Sequence, residues 1–145
     1  LQLIDGLPEM AISADLSHYV VEREFTWPVP ARDEAWMQQI IARAVAFQGR
    51  IASREQIQIQ LDFPQHQDWV AKHLQWWEDG MRSWRDRSPD GATLNFLTQL
   101  GPPPYAITGR DGYELSDRWA EAQVIKDWVR DIWQRLEVES EANKG

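Results

Sequence analysis

Three short apolar, β-prone runs restrict what this chain can fold into more than any other feature, because each ends in a polar residue and an amphipathic helical segment follows each one. Met10-Ala11-Ile12-Ser13-Ala14-Asp15 ends in a carboxylate and Ala44-Val45-Ala46-Phe47-Gln48 ends in an amide. Thr93-Leu94-Asn95-Phe96-Leu97-Thr98-Gln99 ends in a second amide and runs into a rigid Gly101-Pro102-Pro103-Pro104-Tyr105 corner. The spacing predicts strands over about 10–15, 44–48 and 93–99, with helices over about 34–44, 67–87 and 116–136. That alternation implies an α/β fold of parallel strands joined by crossover helices. Such sheets place their ligand sites at the carboxyl ends of the strands, so Asp15, Gln48 and Gln99 are expected on one rim.

Local signals set the expected element ends. Leu1 to Leu7 reads as the end of a helix stopped by Gly6 and Pro8, and Leu16 to Glu24 as a short helical turn before the Trp27-Pro28-Val29-Pro30 corner. Asp33 is the expected N-cap of the first crossover helix, with Trp36, Met37, Ile40, Ile41 and Ala44 on its inner face. Gln48 to Gln60 is an unusually polar stretch, expected as a functional rim loop rather than an exposed strand. Pro64 and Asp68 introduce a long helix with Trp69, Val70, His73, Leu74, Trp77, Met81 and Trp84 on one side; Gly80 weakens it without ending it. Ser116 is the expected cap of the last helix, whose stripe of Trp119, Ile125, Trp128, Val129, Ile132 and Leu136 is expected to be buried, with a frayed tail from Glu137.

Composition excludes several classes of function. At 145 residues the chain suffices for one domain with a sizeable core, and its net charge of -8 argues against a nucleic-acid partner, which needs clustered Lys and Arg. With no cysteine, disulfide scaffolds, thiol catalysis and cysteine metal sites are out. No apolar run approaches the about 18 residues that span a bilayer, so a soluble, cytoplasmic protein without a membrane partner is expected. The nine tryptophans are read first as core, although Trp27 and Tyr105 lie on loops where they could line a pocket. His66 is expected at the surface and His73 in helix packing.

The residues at the strand ends also fit ordinary roles. Asp15 with Ser17 and His18 suits a cap on a short helix, and Gln48 and Gln99 suit hydrogen-bonding residues at strand ends. Arg50, Arg54 and Arg110 could recognise a phosphate or carboxylate, or be solvated.

Asp15-x-x-His18 after the first strand, Gln48-Gly49-Arg50 after the second and Gln99-Leu100-Gly101-Pro102-Pro103-Pro104-Tyr105 after the third together resemble the carboxyl-terminal part of xylose-isomerase-like TIM barrels, the sugar and sugar-phosphate isomerase/epimerase superfamily. The Gly-Pro-Pro-Pro-Tyr corner is the most specific element. The resemblance spans nearly the whole chain and implies about the last three of eight strand–helix units. It implies a divalent metal (Mn, Mg or Zn) at the top of the barrel, with Asp15 at the position of a ligand aspartate, Gln48 at that of a ligand histidine and Gln99 at that of the final, catalytic glutamate. His18 falls where a histidine contacts substrate or supports the ligand, and Arg50 or Arg54 where an arginine lies beside the substrate. Tyr105 is the further candidate for substrate contact. The family's first metal-binding glutamate belongs to a strand expected before Leu1.

Those departures alter the chemistry. A sugar isomerase needs a metal that polarises a carbonyl or alkoxide and a carboxylate that moves a proton between adjacent carbons. Glutamine keeps the shape of glutamate without its charge or basicity, so Gln99 cannot act as a general base. Three functions follow as expectations: a metal-dependent sugar isomerase or epimerase, inactive as this chain alone; a non-catalytic sugar-binding pseudoenzyme; or a partial-barrel assembly unit that self-associates or pairs with a missing amino-terminal portion.

Overall fold

The computed structural model describes residues 6–7 and 9–142, so the expected helix end over 1–7 lies, apart from Gly6 and Leu7, outside the described residues. The order of elements is β1 (Ile12–Asp15), α1 (Leu16–Glu22), α2 (Ala31–Ile41), β2 (Ala44–Gly49), a single 3-10 turn (Pro64–His66), α3 (Gln67–Arg87), β3 (Asn95–Thr98) and α4 (Arg118–Ala142). The strands form one parallel sheet in the order β1-β2-β3. The chain is therefore an α/β protein with a three-stranded parallel sheet.

Packing divides the sheet into two unlike faces. α2 packs on β1, α3 on β2 and α4 on β3, while α3 also packs against both α2 and α4, so the three long helices cover the same side. Ala14, Phe47 and Phe96 are register partners across the three strands and point towards those helices. Phe47 stacks on Phe96 at 6.3 Å, and Trp77 meets Phe96 edge-on at 5.2 Å. The other face carries Ser13, Asp15, Ala46, Gln48, Asn95, Leu97 and Gln99; none of α1–α4 covers it, and Leu97 is 61% exposed. Alternation along a strand separates the two sets.

Aromatic packing builds much of the core, as the tryptophan content implies. Tyr19, Trp36, Phe25 and Trp76 form a chain of edge-to-face contacts at 5.4, 6.2 and 6.3 Å, the geometry that ring quadrupoles favour. Gly80 lies inside α3 because the helix passes very close to β2: a Cβ there would stand 2.3 Å from Phe47 Cζ. Trp76 and Trp77 are both fully buried, whereas Leu74 is only half-buried, so the inner face of α3 is rotated slightly from the expected stripe.

Several local expectations need correction. α2 is capped at Pro30, whose carbonyl accepts from Asp33 N and Glu34 N; Asp33 sits in the first turn, where its charge meets the positive end of the helix dipole. At α4 the cap is Asp117, not Ser116: its Oδ1 accepts from Trp119 N and Ala120 N at 2.9 and 3.1 Å, and Ser116 Oγ is instead spent on Glu121. Trp119, 72% exposed, precedes Ala122, the first buried residue of the stripe. The tail does not fray at Glu137, because Glu139 accepts from Arg82 at 2.6 Å and Glu137 lies 3.8 Å from Arg85, tying the last turns of α4 to α3.

The stretch after β2 differs most from its reading as a polar rim loop. Ile51, Ala52, Gln58, Ile59, Gln60 and Leu61 are all buried, and Ile59 N donates to Ile51 O at 3.0 Å. Ile51 and Ile59 enter the core, while the Gln58 amide satisfies backbone groups of Gly101 that would otherwise be buried alone. His66 is likewise buried rather than at the surface, with Nδ1 2.9 Å from Gln60 O and its ring stacked on Phe63.

Candidate functional site at the carboxyl ends of the strands

Each strand of the parallel sheet ends at the same rim, and the residues there are held by short-range geometry. Asp15 closes β1 and serves as the N-cap of α1: Oδ1 accepts from Ser17 N at 3.1 Å and from Ser17 Oγ at 2.5 Å. The capping role, one of the ordinary readings of the sequence, is therefore real. Directly beside it in register, Gln48 of β2 donates through Nε2 to Ser13 Oγ at 3.3 Å. Gln99 follows Leu97 by two residues on the same face, and its backbone N–H donates to Gly49 O at 3.2 Å, extending the ladder beyond β3.

Arg50 organises the centre of the rim. Its side chain is only 1% exposed, and Nη2 donates to Asp15 Oδ2 at 2.5 Å while Nε donates to Ser17 Oγ at 3.0 Å. Nη2 also lies 2.9 Å from His18 Nε2, which is itself 3.5 Å from Asp15 Oδ2; a guanidinium has no acceptor, so a hydrogen bond to Nη2 is one in which Nε2 accepts. The Tyr105 ring covers the guanidinium, 4.9 Å from ring centroid to Cζ. His18 is 58% exposed, and Tyr105 is exposed too, so the cluster has a buried ionic floor and an open polar and aromatic margin.

Of the residues singled out from sequence, Asp15, His18, Arg50 and Tyr105 come into contact, with Gln48 and Gln99 on the adjoining sheet face. Arg54 does not join them; it pairs with Glu24 at 3.3 Å and lies 3.9 Å from Glu55. Trp27 lies against Trp69 at 5.5 Å. Near the rim, burial raises the Tyr19 phenol above its ordinary value, reinforced by the charges of Glu22 and Asp15, so this hydroxyl stays protonated at neutral pH.

The donor set can be weighed against a divalent cation. Both oxygens of Asp15 already accept strong hydrogen bonds, and the guanidinium supplies the compensating positive charge. Gln48 and Gln99 offer neutral amide oxygens. Among the described residues no group of three or more His, Cys, Asp or Glu side chains is placed to hold a metal ion. One saturated carboxylate, two amides and a single imidazole whose Nε2 already meets the Arg50 guanidinium do not fit Mg, Mn or Zn, whose sites combine several anionic oxygens or imidazoles. The arrangement suits hydrogen bonding to hydroxyl groups and contact with an apolar face, since its margin consists of amides, an imidazole and a phenol.

Sequence reasoning gave little weight to two residues that shape this rim. Ser17 is wholly buried and bridges Asp15 and Arg50; its only sequence signal is its place two residues after a capping aspartate. Gln58 is buried and bound to Gly101, and nothing in its local pattern separates it from the neighbouring glutamines.

No protein-family model, no curated protein and no solved structure matches the chain.

Proposed function

We propose that the chain is a non-catalytic, sugar-binding relative of the metal-dependent sugar and sugar-phosphate isomerases and epimerases, its three strand–helix units corresponding to the carboxyl-terminal part of their TIM barrel. The observation that carries this reading is the rim itself. A buried Asp15–Arg50 pair is covered by Tyr105 and flanked by His18, with the Gln48 and Gln99 amides on the open sheet face. Sequential strand order with the long helices on one side is the local pattern of a barrel wall, which favours that family over a doubly wound sheet. Among the described residues no free carboxylate stands beside the Gln48 and Gln99 amides, which favours binding over an isomerisation that relies on a carboxylate to move the proton.

A titration of 15N-labelled protein with D-xylose, D-glucose and D-glucose 6-phosphate tests the reading. Side-chain amide signals of Gln48 and Gln99 should shift with at least one sugar and stop doing so in Tyr105→Ala. Turnover of any of these sugars, or Mn2+ binding abolished by Asp15→Asn, would replace it with the enzymatic reading. Silence at both glutamines with all three compounds would remove sugar binding.

One observation favours a second reading, the assembly unit. The sheet face that α1–α4 leave uncovered carries Ser13, Ala46, Gln48, Asn95, Leu97 and Gln99, all uncharged in a protein of net charge -8, and Asp15 on the same face has its charge buried against Arg50. Two copies could meet there without like-charge repulsion and cover Leu97. Sedimentation of the wild type and of Leu97→Lys distinguishes the cases: a dimer lost in the variant supports assembly, and a monomer in both removes it.

A further inference from the structure

We infer that Gln58 is the positioning residue of the rim, holding Tyr105 over Arg50 by gripping the backbone of Gly101. The Gln58 amide satisfies both backbone groups of that glycine at once: Nε2 donates to Gly101 O at 3.0 Å and Oε1 accepts from Gly101 N at 2.8 Å. One primary amide thus substitutes for a neighbouring strand at a point where the chain has left β3 and its backbone groups lack a ladder partner. Gln58 is buried, so its own polar atoms have no water to fall back on, and the pairing is costly to break.

The grip is transmitted to Tyr105 by contact. Gly101 has its backbone so close to the tyrosine that a Cβ there would lie 2.7 Å from Tyr105 Cδ2. The intervening prolines restrict the path, and Tyr105 N donates back to Pro102 O at 2.9 Å, closing a tight turn. The ring is therefore wedged between Gly101 and the Arg50 guanidinium, 4.9 Å from its centroid. Loop 50–61, which carries Gln58, follows directly from Arg50, so one loop supplies both the cation and the clamp that sets the ring over it. Without the clamp, Tyr105 is an exposed side chain on a loop that, among the described residues, has no other side-chain anchor at Gly101.

The inference rests on the proposed sugar site only for its effect on affinity; the placement of Tyr105 is a separate observable. The Arg50 Nε–Hε resonance of the 15N-labelled chain reports the overlying ring, with Tyr105→Leu defining its position when the ring is absent. Gln58→Leu should move this resonance more than half-way to the Tyr105→Leu position. Gln58→Glu adds a signature that mere loss of stability lacks. A protonated carboxyl can both donate to Gly101 O and accept from Gly101 N, so the wild-type shift should be retained at acid pH and lost as the carboxyl ionises. If Gln58→Leu does not fold, the pH series in Gln58→Glu decides. An Arg50 resonance at its wild-type position in Gln58→Leu, or independent of pH in Gln58→Glu, overturns the inference. Whichever of D-xylose, D-glucose and D-glucose 6-phosphate binds the wild type should bind Gln58→Leu about tenfold more weakly, the loss of one buried pairing. Equal affinity overturns the role in binding. No binding of any of the three to wild type, with the ring shift still following Gln58, removes the sugar site and leaves the positioning intact.

Discussion

Acidification should destabilise this protein through His73 in a range where most histidines are harmless. His73 lies in α3, wholly buried, with Nδ1 2.9 Å from Trp69 O and Nε2 facing Ala52 N at 3.5 Å, and the Trp76 and Trp77 rings pack against it. The neutral ring donates from Nδ1 and accepts at Nε2; a second proton would set two N–H groups against each other. Burial lowers its pKa from 6.5 to about 4, outweighing the Trp69 hydrogen bond and the Asp15 charge, which act the other way. Because the folded value lies below the unfolded one, the unfolded chain binds more protons between them. Stability is therefore complete above pH 6.5, falls as the pH drops towards 4, and levels off for this group below that. Integration between pH 7 and pH 5 gives a loss of about 2 kcal/mol, and the full shift corresponds to about 3 kcal/mol. Urea unfolding of wild type and His73→Gln at pH 7 and pH 5 isolates the term, since the carboxylates titrate in both. The difference in stability between the two proteins should shrink or reverse by about 2 kcal/mol at the lower pH. Parallel curves would refute the burial of a neutral imidazole at this position.

Two other substitutions have definite signs. Arg50→Met leaves the Asp15 carboxylate buried without its cation and should cost about 3 kcal/mol in urea unfolding, most of it recovered in Asp15→Asn/Arg50→Met; no recovery would mean that the cost lies in packing rather than charge. Gly80→Ala should lower the melting temperature despite the gain of about 1 kcal/mol in helix propensity, because the methyl group overlaps Phe47 and overpacking costs about 1–3 kcal/mol; a raised melting temperature would refute the close approach of α3 to β2.

The strand–helix alternation was legible because it is written in local periodicity, and α3 was placed at its observed ends because Pro64 and a long apolar stripe bracket it. Boundaries set by competition between neighbouring caps were less so. Asp33 and Ser116 are good capping residues in isolation, but α2 starts earlier, at Pro30 and without a side-chain cap, and Asp117 takes the free N–H groups of α4. Loop 50–61 misled for another reason: glutamine is polar on any scale, and whether its amide faces water or a buried backbone depends on what the fold brings to it.

The sequence alone determined that parallel strands would deliver Asp15, Gln48 and Gln99 to one rim, since a helical crossover between successive strands returns the chain so that all three end on the same side. Only the tertiary structure decided what those groups do. Asp15 meets Arg50 at a sequence separation of 35 and Gln58 meets Gly101 at one of 43, pairings that no local pattern encodes. Whether a carboxylate is a free ligand or half of a buried ion pair depends on which distant cation the fold sets against it, and on how far burial strengthens the field between them.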